Sequence, residues 1–177
     1  MQAIVAGWAD DPGTLPLLRE RATSVPDPDM REAAMRAIAA GWADDPGTLP
    51  LLRERATTDP HWTALWAAVQ VIAAGWADDP DTLLWLRECA TTDDAGAVRE
   101  AAVRAIAAGW ADDPDTLPLL RERATTDDEW SVREAAVRAI GAGWADDPGT
   151  LPLLRERAIT DSHEDVRKSA VKAMAAD

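Results

Sequence analysis

The sequence predicts an all-α fold, a right-handed α-solenoid of stacked helical hairpins. The hexapeptide Gly-Trp-Ala-Asp-Asp-Pro occurs five times without substitution, and successive copies start 34 residues apart, at Gly7, Gly41, Gly75, Gly109 and Gly143. A hairpin of this length cannot bury its apolar face alone, so identical units stack and share one continuous core. Composition agrees with this class, because 47% of the residues are apolar and tryptophan is the only aromatic residue, with no Phe or Tyr.

The 34-residue period divides the chain into a lead-in and five repeats without any insertion. The lead-in, residues 1–6, matches the end of a repeat and is predicted to be the last part of a helix. We expect one repeat domain, residues 1–177. Terminal repeats of such arrays usually carry a polar cap, and its absence here predicts a segment of a longer array, or an engineered or recently duplicated one. The repeats are 7–40, 41–74, 75–108, 109–142 and 143–176.

The first helix of a repeat is most clearly indicated in repeat 4. Asp113 followed by Pro114 is an N-cap and first-turn signal. Pro118 favours a later start, nearer Thr116, because a proline in the fifth position would remove a helical hydrogen bond.

The second helix of repeat 4 is predicted to begin at Thr126, with Glu129 three residues later completing a capping box. Projection at 100° per residue leaves Glu134, Arg138 and Gly141 on the exposed face. The apolar stripe that predicts the buried face consists of Val132, Ala135, Ala136, Ala139, Ile140 and Gly143.

A family resemblance follows from the second half of the repeat. Repeats 3 and 5 contain close counterparts of a series in repeat 4: Asp127, Val132, Arg133, Ala136, Ala139 and Ile140. This series resembles the HEAT-like repeat in the short bacterial form found in phycobilin lyases, and the resemblance covers essentially the whole chain. The repeated tryptophan-containing motif also resembles HEAT arrays attached to bacterial NACHT-type NTPases. The tetratricopeptide class shares the 34-residue period, but its pattern requires a tyrosine that this chain lacks.

The resemblance implies a ladder in which the aspartate and the arginine of the series bond to the loop backbone and to neighbouring repeats. It also implies that the second helices line the concave side. Two repeats depart from the series, since Val25 stands where the aspartate belongs and Leu65 stands where the arginine belongs.

Charge and hydropathy exclude several classes of partner. The chain carries 32 acidic and 18 basic residues, a net charge of −14. Nucleic-acid affinity comes mainly from neutralising phosphates, so we expect no nucleic-acid partner. No apolar run approaches the length of about 18 residues that a membrane span needs, and no secretory leader is present. We therefore expect no membrane partner and a cytoplasmic location.

The nucleophilic and titratable residues indicate no catalysis. Cys89 is the only cysteine and lacks a recognisable catalytic partner, and His61 and His163 lie far apart in sequence near helix starts. We predict that the chain is not an enzyme and needs no cofactor. An enzymatic alternative, a lyase that handles phycobilins, is favoured by the fold resemblance alone.

Two features of the hexapeptide are predicted to be structural. A calcium ion needs six to eight oxygens within about 2.6 Å, whereas packed helices lie roughly 8–10 Å apart, so we expect no metal site at the acidic corners. The aspartates predicted to cap helices are Asp11, Asp45, Asp79, Asp113 and Asp147. The tryptophans predicted to fill the junctions between repeats are Trp8, Trp42, Trp76, Trp110 and Trp144.

Candidate binding residues lie where the repeats differ, because packing demands the same residues in every repeat. In repeat 2 the second helix carries Trp62, Leu65, Trp66 and Gln70, and Trp66 stands where the other repeats have Glu or Lys. Exposed tryptophans are typical of binding hot spots. In the adjacent first helix of repeat 3, Leu84, Trp85 and Cys89 also depart from the other repeats, and we interpret Trp85 as core compensation.

We therefore predict a non-catalytic protein-interaction scaffold that binds a helix or peptide on its concave face, near this tryptophan-rich patch in repeats 2 and 3. The charged rim is predicted to include Arg36, Glu100, Arg104 and Arg138, and Trp130 extends the surface. A second copy of the chain is an equally compatible partner. The alternative is a structural spacer or a designed or duplicated consensus scaffold, in which the patch serves packing or self-association.

Overall fold

Ten α-helices in five consecutive pairs make up residues 11–175, the part of the chain that the computed structural model describes. No β-strand occurs in this range. The lead-in, residues 1–6, and Trp8 lie outside it, so the lead-in helix stays a prediction, as does the handedness. The helices are α1 (Thr14–Ser24), α2 (Pro28–Gly41), α3 (Thr48–Thr58), α4 (Trp62–Gly75), α5 (Pro80–Thr92), α6 (Gly96–Gly109), α7 (Thr116–Thr126), α8 (Trp130–Gly143), α9 (Thr150–Thr160) and α10 (Glu164–Met174).

The chain divides into two units, Met1–Trp85 and Leu86–Asp177, with the boundary inside α5. In the first unit α1 packs on α2, α3 on α4, and α2 on α4. In the second unit α7 packs on α8, α9 on α10, and the second helices α6, α8 and α10 pack in sequence. Within each unit a repeat is therefore a hairpin whose second helix also packs on the second helix of the next repeat, the arrangement of an all-α solenoid.

The first helix begins at a threonine in four of the five repeats, which confirms the start at Thr116. The proline two residues further on lies in the first turn, where amide groups have no intrahelical acceptor, so its missing N–H costs no hydrogen bond. In repeat 3 Leu84 replaces this proline, and α5 begins earlier, at Pro80. The loss of the proline removes the constraint that delays the helix start.

The predicted start of the second helix at Thr126 is wrong. Thr126 is the last residue of α7, and α8 begins at Trp130 with Glu129 at the N-cap and no side-chain cap bond. Asp127 has extended backbone angles, which end α7, and its Oδ1 accepts the amide of Glu129 at 3.0 Å. The aspartate thus makes the turn, and the predicted capping box does not form.

Of the three residues predicted on the exposed face of α8, only Arg138 is exposed. Gly141 lies against α10, because a Cβ built on it would meet the Cβ of Ala173 at 2.5 Å. The side chain of Glu134 is 18% exposed, and its Oε1 accepts the hydroxyl of Ser169 at 2.9 Å. A helical projection considers one hairpin, whereas α8 is covered by the second helix of the following repeat as well.

Isoleucine at one position of the second helix marks the core in repeats 1 to 4. These four residues have no solvent-exposed surface, and the first helices contribute buried leucines. Alanines fill many of the remaining buried positions on the second helices, and their small side chains allow close helix approach. The four isoleucines are Ile38, Ile72, Ile106 and Ile140.

A buried arginine–aspartate ladder joins consecutive repeats, as the resemblance implies. Within the first unit Arg31 donates to both carboxylate oxygens of Asp59, at 2.7 and 2.8 Å. In the second unit Arg99 binds Asp127 in the same way, at 2.8 and 3.0 Å, and Arg133 binds Asp161. These side chains are at most 10% exposed.

Each ladder arginine also binds the loop that precedes its own helix. Nη1 of Arg99 donates to the carbonyl oxygens of Asp93 and Asp94, at 2.8 and 3.2 Å. One guanidinium therefore ties together the loop of its own repeat and the aspartate of the next. A bidentate pair with added backbone bonds meets the condition under which a buried ion pair is stable.

The ladder holds its carboxylates ionised. Burial alone would raise the pKa of Asp127, but hydrogen bonds from Arg99 and from the amide of Glu129, with the charges of Arg99 and Arg123, hold that pKa below its ordinary value. The same balance lowers the pKa of Asp59 and Asp161. A hydrogen bond to the aspartate likewise raises the pKa of each ladder arginine. Both members of each pair are charged at neutral pH.

Replacing one ladder carboxylate tests its contribution to stability. We expect Asp127→Asn to lower the free energy of unfolding by about 3–5 kcal/mol, because Arg99 would stay buried without its buried counter-charge. The matched control is Asp112→Asn, the same change at an exposed aspartate outside the ladder. Urea denaturation followed by circular dichroism gives both values, and equal losses in the two variants would contradict the ladder's role.

The pH dependence of that difference tests the lowered pKa. A carboxylate whose pKa is lower in the folded state stabilises the fold above the pKa of the unfolded chain, about 3.9. That contribution is lost as pH falls through the folded-state pKa. We expect the stability difference between wild type and Asp127→Asn to be full at pH 7 and to shrink below about pH 4. A difference that stays constant from pH 7 to pH 3 would be incompatible with this assignment.

Candidate partner-binding surfaces

Trp62 is the most exposed aromatic side chain among residues 11–175, with 61% of its surface accessible. It begins α4, where His61 is the N-cap and its Nδ1 accepts the amide of Thr63. The rings of His61 and Trp62 stack with centroids 6.3 Å apart. The N-terminus of α4 thus holds the Trp62 indole in solvent beside the His61 imidazole.

Trp66 lies one turn after Trp62 on the same side of α4 and is half-buried. Leu65 is 7% exposed and belongs to the core, so its predicted place in the binding surface is wrong. The physical reason is its position, which in three other repeats holds the buried ladder arginine and points inward. Leu65 fills that space with a hydrocarbon side chain.

The polar members of the predicted site in the first unit are Arg36 on α2 and Gln70 on α4. Arg36 is exposed, and its Nε donates to Glu32 Oε1 at 3.0 Å. Arg36 and Gln70 hold the same repeat position on two helices that pack together, and Gln70 is half-buried. We define the α4 surface as Arg36, Trp62, Trp66 and Gln70, an indole-rich area with polar groups beside it.

The remaining predicted residues lie in the second unit. Arg104 Nη2 donates to Glu100 Oε1 at 2.7 Å and lies 3.9 Å from Glu134 Oε2. Trp130 is 37% exposed and stacks on His163 with centroids 4.1 Å apart and planes 10° apart. The structure therefore brings Glu100 and Arg104 together. Trp130 instead stacks on His163, which is not one of the predicted binding residues.

A groove between α6 and α8, which sequence analysis missed, lies in the second unit. Its volume is about 420 Å³. The sequence feature that relates to this groove is the row of alanines on one face of each second helix. The same feature also indicates close helix packing, so it did not predict a groove. The lining residues are Arg104, Ala107, Ala108, Ala135, Arg138, Ala139, Ala142, Gly143 and Trp144.

The acidic corners form turns, but the predicted helix cap is wrong for Asp11, Asp45, Asp113 and Asp147. The N-caps of those first helices lie two residues later and make no side-chain cap bond, because each aspartate binds the amide of the N-cap residue instead. Asp45 Oδ1 accepts the amide of Gly47 at 2.8 Å and also binds Arg19 of the preceding repeat. In the second unit, Arg87 and Arg121 bind the corresponding aspartates of the next repeat, Asp113 and Asp147. Within residues 11–175 no three His, Cys, Asp or Glu side chains are grouped as metal ligands.

The four corner tryptophans within residues 11–175, Trp42, Trp76, Trp110 and Trp144, are each half-buried at the C-cap of a second helix. The N–H of Trp110, for example, donates to the carbonyl oxygen of Ile106 at 2.9 Å. Cys89 is buried, and His163 caps α10 through Nδ1, which accepts the amide of Asp165 at 3.3 Å. Across residues 11–175, no helix has the length and apolar character needed to cross a membrane.

Comparison with known proteins identifies the repeat. The chain is similar to a solved structure, the complex of CpcE and CpcF of phycocyanin lyase from Nostoc sp. PCC7120, with 24% sequence identity and a TM-score of 0.64. The match covers 93% of this chain and 99% of the other, and at this identity it shows a shared fold. No curated protein matches the sequence. The profile of HEAT repeats matches residues 2–73, 60–141 and 85–175. With that match spanning nearly its full length, the chain belongs to the family of HEAT-repeat proteins.

Proposed function

We propose that this chain is a non-catalytic protein-interaction scaffold whose α4 surface binds an amphipathic helix or peptide of a partner protein. The observation that carries the proposal is Trp62, which keeps 61% of its surface in solvent one helical turn from the half-buried Trp66. At the position of Trp66 the other repeats carry Glu or Lys, so packing does not require an indole there. A large apolar side chain exposed to water beside a second indole is typical of an interface.

The energetics favour a protein ligand. Covering the exposed part of the Trp62 indole would remove on the order of 150 Å² from water, which favours binding by about 3 kcal/mol before the costs of association. Arg36 and Gln70 lie beside the indoles and supply hydrogen-bond donors for the polar edge of a helix. An amphipathic helix offers both the apolar and the polar groups that this surface needs.

The comparisons support a protein partner in general terms. The chain that shares this fold comes from a structure of a complex between two proteins, CpcE and CpcF. The net charge of −14 opposes nucleic acid as the ligand. No residue pattern in the chain supports a lyase activity. We expect the absorbance spectrum of a bilin to stay unchanged when the chain is added.

A displayed library of amphipathic helical peptides, selected on the immobilised full chain, tests the proposal. We expect Trp62→Glu to weaken binding of the selected peptides by about 30-fold or more, the size of a hot-spot loss. Because Trp62 is mainly in solvent, the melting temperature should stay near that of the wild type. Fluorescence anisotropy of labelled peptide gives the dissociation constants, and circular dichroism gives the melting temperatures.

The matched control is Ile159→Glu, which places the same charge on an apolar side chain that is 80% exposed on α9, a first helix far along the sequence. Peptide binding should survive this change. Equal binding by the two variants, or a selection that yields no peptide, would favour the spacer alternative. Light scattering at two concentrations identifies a second copy as the occupant, if the wild type associates and Trp62→Glu does not.

A further inference from the structure

Arg167, the ladder arginine of repeat 5, has the loop bonds of its counterparts but not their carboxylate. Its Nη1 donates to the carbonyl oxygens of Asp161 and Ser162, at 2.7 and 3.1 Å, as the ladder arginines of repeats 1, 3 and 4 donate to their own loops. In those repeats Nε and Nη2 donate to the aspartate of the next repeat. On Arg167 the same two groups donate to no residue between 11 and 175. The loop bonds thus hold a pair of N–H donors in position for a carboxylate.

Arg155 on α9 also lacks the carboxylate that its counterparts bind. The counterparts that bind the corner aspartate of the following repeat are Arg19, Arg87 and Arg121. Arg155 is exposed and forms no ion pair within the part of the chain that the structure describes. Glu164, three residues before Arg167, is bound by Lys168 at 2.7 Å. Repeat 5 therefore presents two arginines that no carboxylate of residues 11–175 pairs with.

Apolar positions that the other repeats bury are uncovered in repeat 5. Val171 on α10 is 54% exposed, whereas the residues at its position in all four other repeats have no exposed surface. Ala158 and Met174 are half-buried, and their counterparts are also fully buried. Each of repeats 1–4 is followed by another hairpin, so these are the positions that a following hairpin covers. We define the repeat-5 face as Arg155, Ala158, Arg167, Val171 and Met174.

From this arrangement we propose that the repeat-5 face binds a helical hairpin of a partner protein that carries two aspartates. One aspartate, in the corner before the first helix of that hairpin, pairs with Arg155, and the other, in the turn before its second helix, pairs with Arg167. Three interfaces between consecutive repeats of this chain combine the same two kinds of pair. Arginine recognises a carboxylate through two parallel N–H groups, and Arg167 is already oriented by its loop, so it loses little conformational freedom on binding. The inference goes beyond the α4 surface, since it concerns another unit and another class of contact.

A second copy of the chain, docked through its repeat 1, does not supply both carboxylates. Its Asp11 is the corner aspartate, but Val25 stands at the place of the ladder aspartate. The backbone of Val25 is extended, with φ −83° and ψ 134°, close to the −64° and 134° of Asp59, so only the carboxylate is missing. A copy docked in this way would bury Arg167 with two unsatisfied N–H groups, which is strongly unfavourable. Such a head-to-tail contact repeats without closing and produces filaments, and Val25 disfavours it.

Restoring the aspartate in repeat 1 provides a hairpin of the required chemistry. The probe is the full chain with Val25→Asp, which adds the carboxylate, and Val171→Glu, which blocks the probe's own repeat-5 face. We expect the probe to form a one-to-one complex with the wild-type chain, at least about tenfold tighter than the complex formed by Val171→Glu alone. Sedimentation equilibrium gives the dissociation constants. Both substituted side chains reach solvent, so circular dichroism should show the wild-type helix content.

Variants of the wild-type member of the complex locate the contact. Arg167→Gln should remove the gain that Val25→Asp produces in the probe, because that gain is the new ion pair. Arg155→Gln, at an exposed residue, should weaken the complex at an unchanged melting temperature, and it keeps the test valid if Arg167→Gln loses stability. The matched control is Arg21→Gln, the same change at an exposed arginine of α1, which should bind the probe as the wild type does. The proposal fails if Val25→Asp adds no affinity, or if Arg167→Gln binds the probe normally.

Sedimentation of the wild type alone tests a second copy as the occupant. Association that Val171→Glu abolishes would overturn the assignment to a partner protein, whereas a monomeric wild type supports it. Trp62→Glu in the wild-type member should leave the complex with the probe unchanged. The failure of this inference and the failure of the α4 surface are therefore distinguishable.

Discussion

Three of the interfaces between consecutive repeats depend on a charged pair that is almost entirely removed from water. A buried guanidinium and a buried carboxylate are costly to desolvate, and they are stable only when nearly every polar group finds a partner. Arg99 meets this condition with both oxygens of Asp127 and two loop carbonyls. Because few relative positions of two hairpins satisfy all these bonds, the ladder fixes how one repeat is placed on the next.

The ladder also makes the exceptions informative. In repeat 2 the ladder arginine is replaced by Leu65. In other repeats a second arginine, on the first helix, also approaches the ladder aspartate, as Arg123 approaches Asp127 at 3.5 Å. In repeat 3 Cys89 stands in place of this second arginine. Both replacements are buried and less polar, which keeps the core filled while giving up charged bonds. Arg53, whose counterparts bind the next acidic corner, instead lies over the Trp85 ring at 5.7 Å. A cation over an aromatic face partly replaces an ion pair, so these substitutions change the interactions together.

The second helices present two kinds of chemistry to a partner. In the first unit the α4 surface offers indoles, which gain free energy when a partner removes them from water. In the second unit the α6–α8 groove is lined by the guanidinium groups of Arg104 and Arg138, and each is paired with a glutamate. Both surfaces use positions that the hairpin core does not need, and both depend on neighbouring second helices that already pack against each other. The repeat therefore separates residues that hold the array together from residues that are able to vary with the ligand.

The sequence by itself determined the fold class, the number of repeats and the start of the first helix near Thr116, because these depend on periodicity and on local turn residues. The ladder was implied by the resemblance to HEAT-like repeats. Tertiary structure decided what a single hairpin does not contain. Thr126 ends a helix because Asp127 makes the turn, and Gly141 is covered because α10 packs beside α8. Leu65 is buried because its position points into the core. The groove at Arg138 exists only where two second helices meet, and a linear pattern of alanines does not distinguish a packed face from an open one.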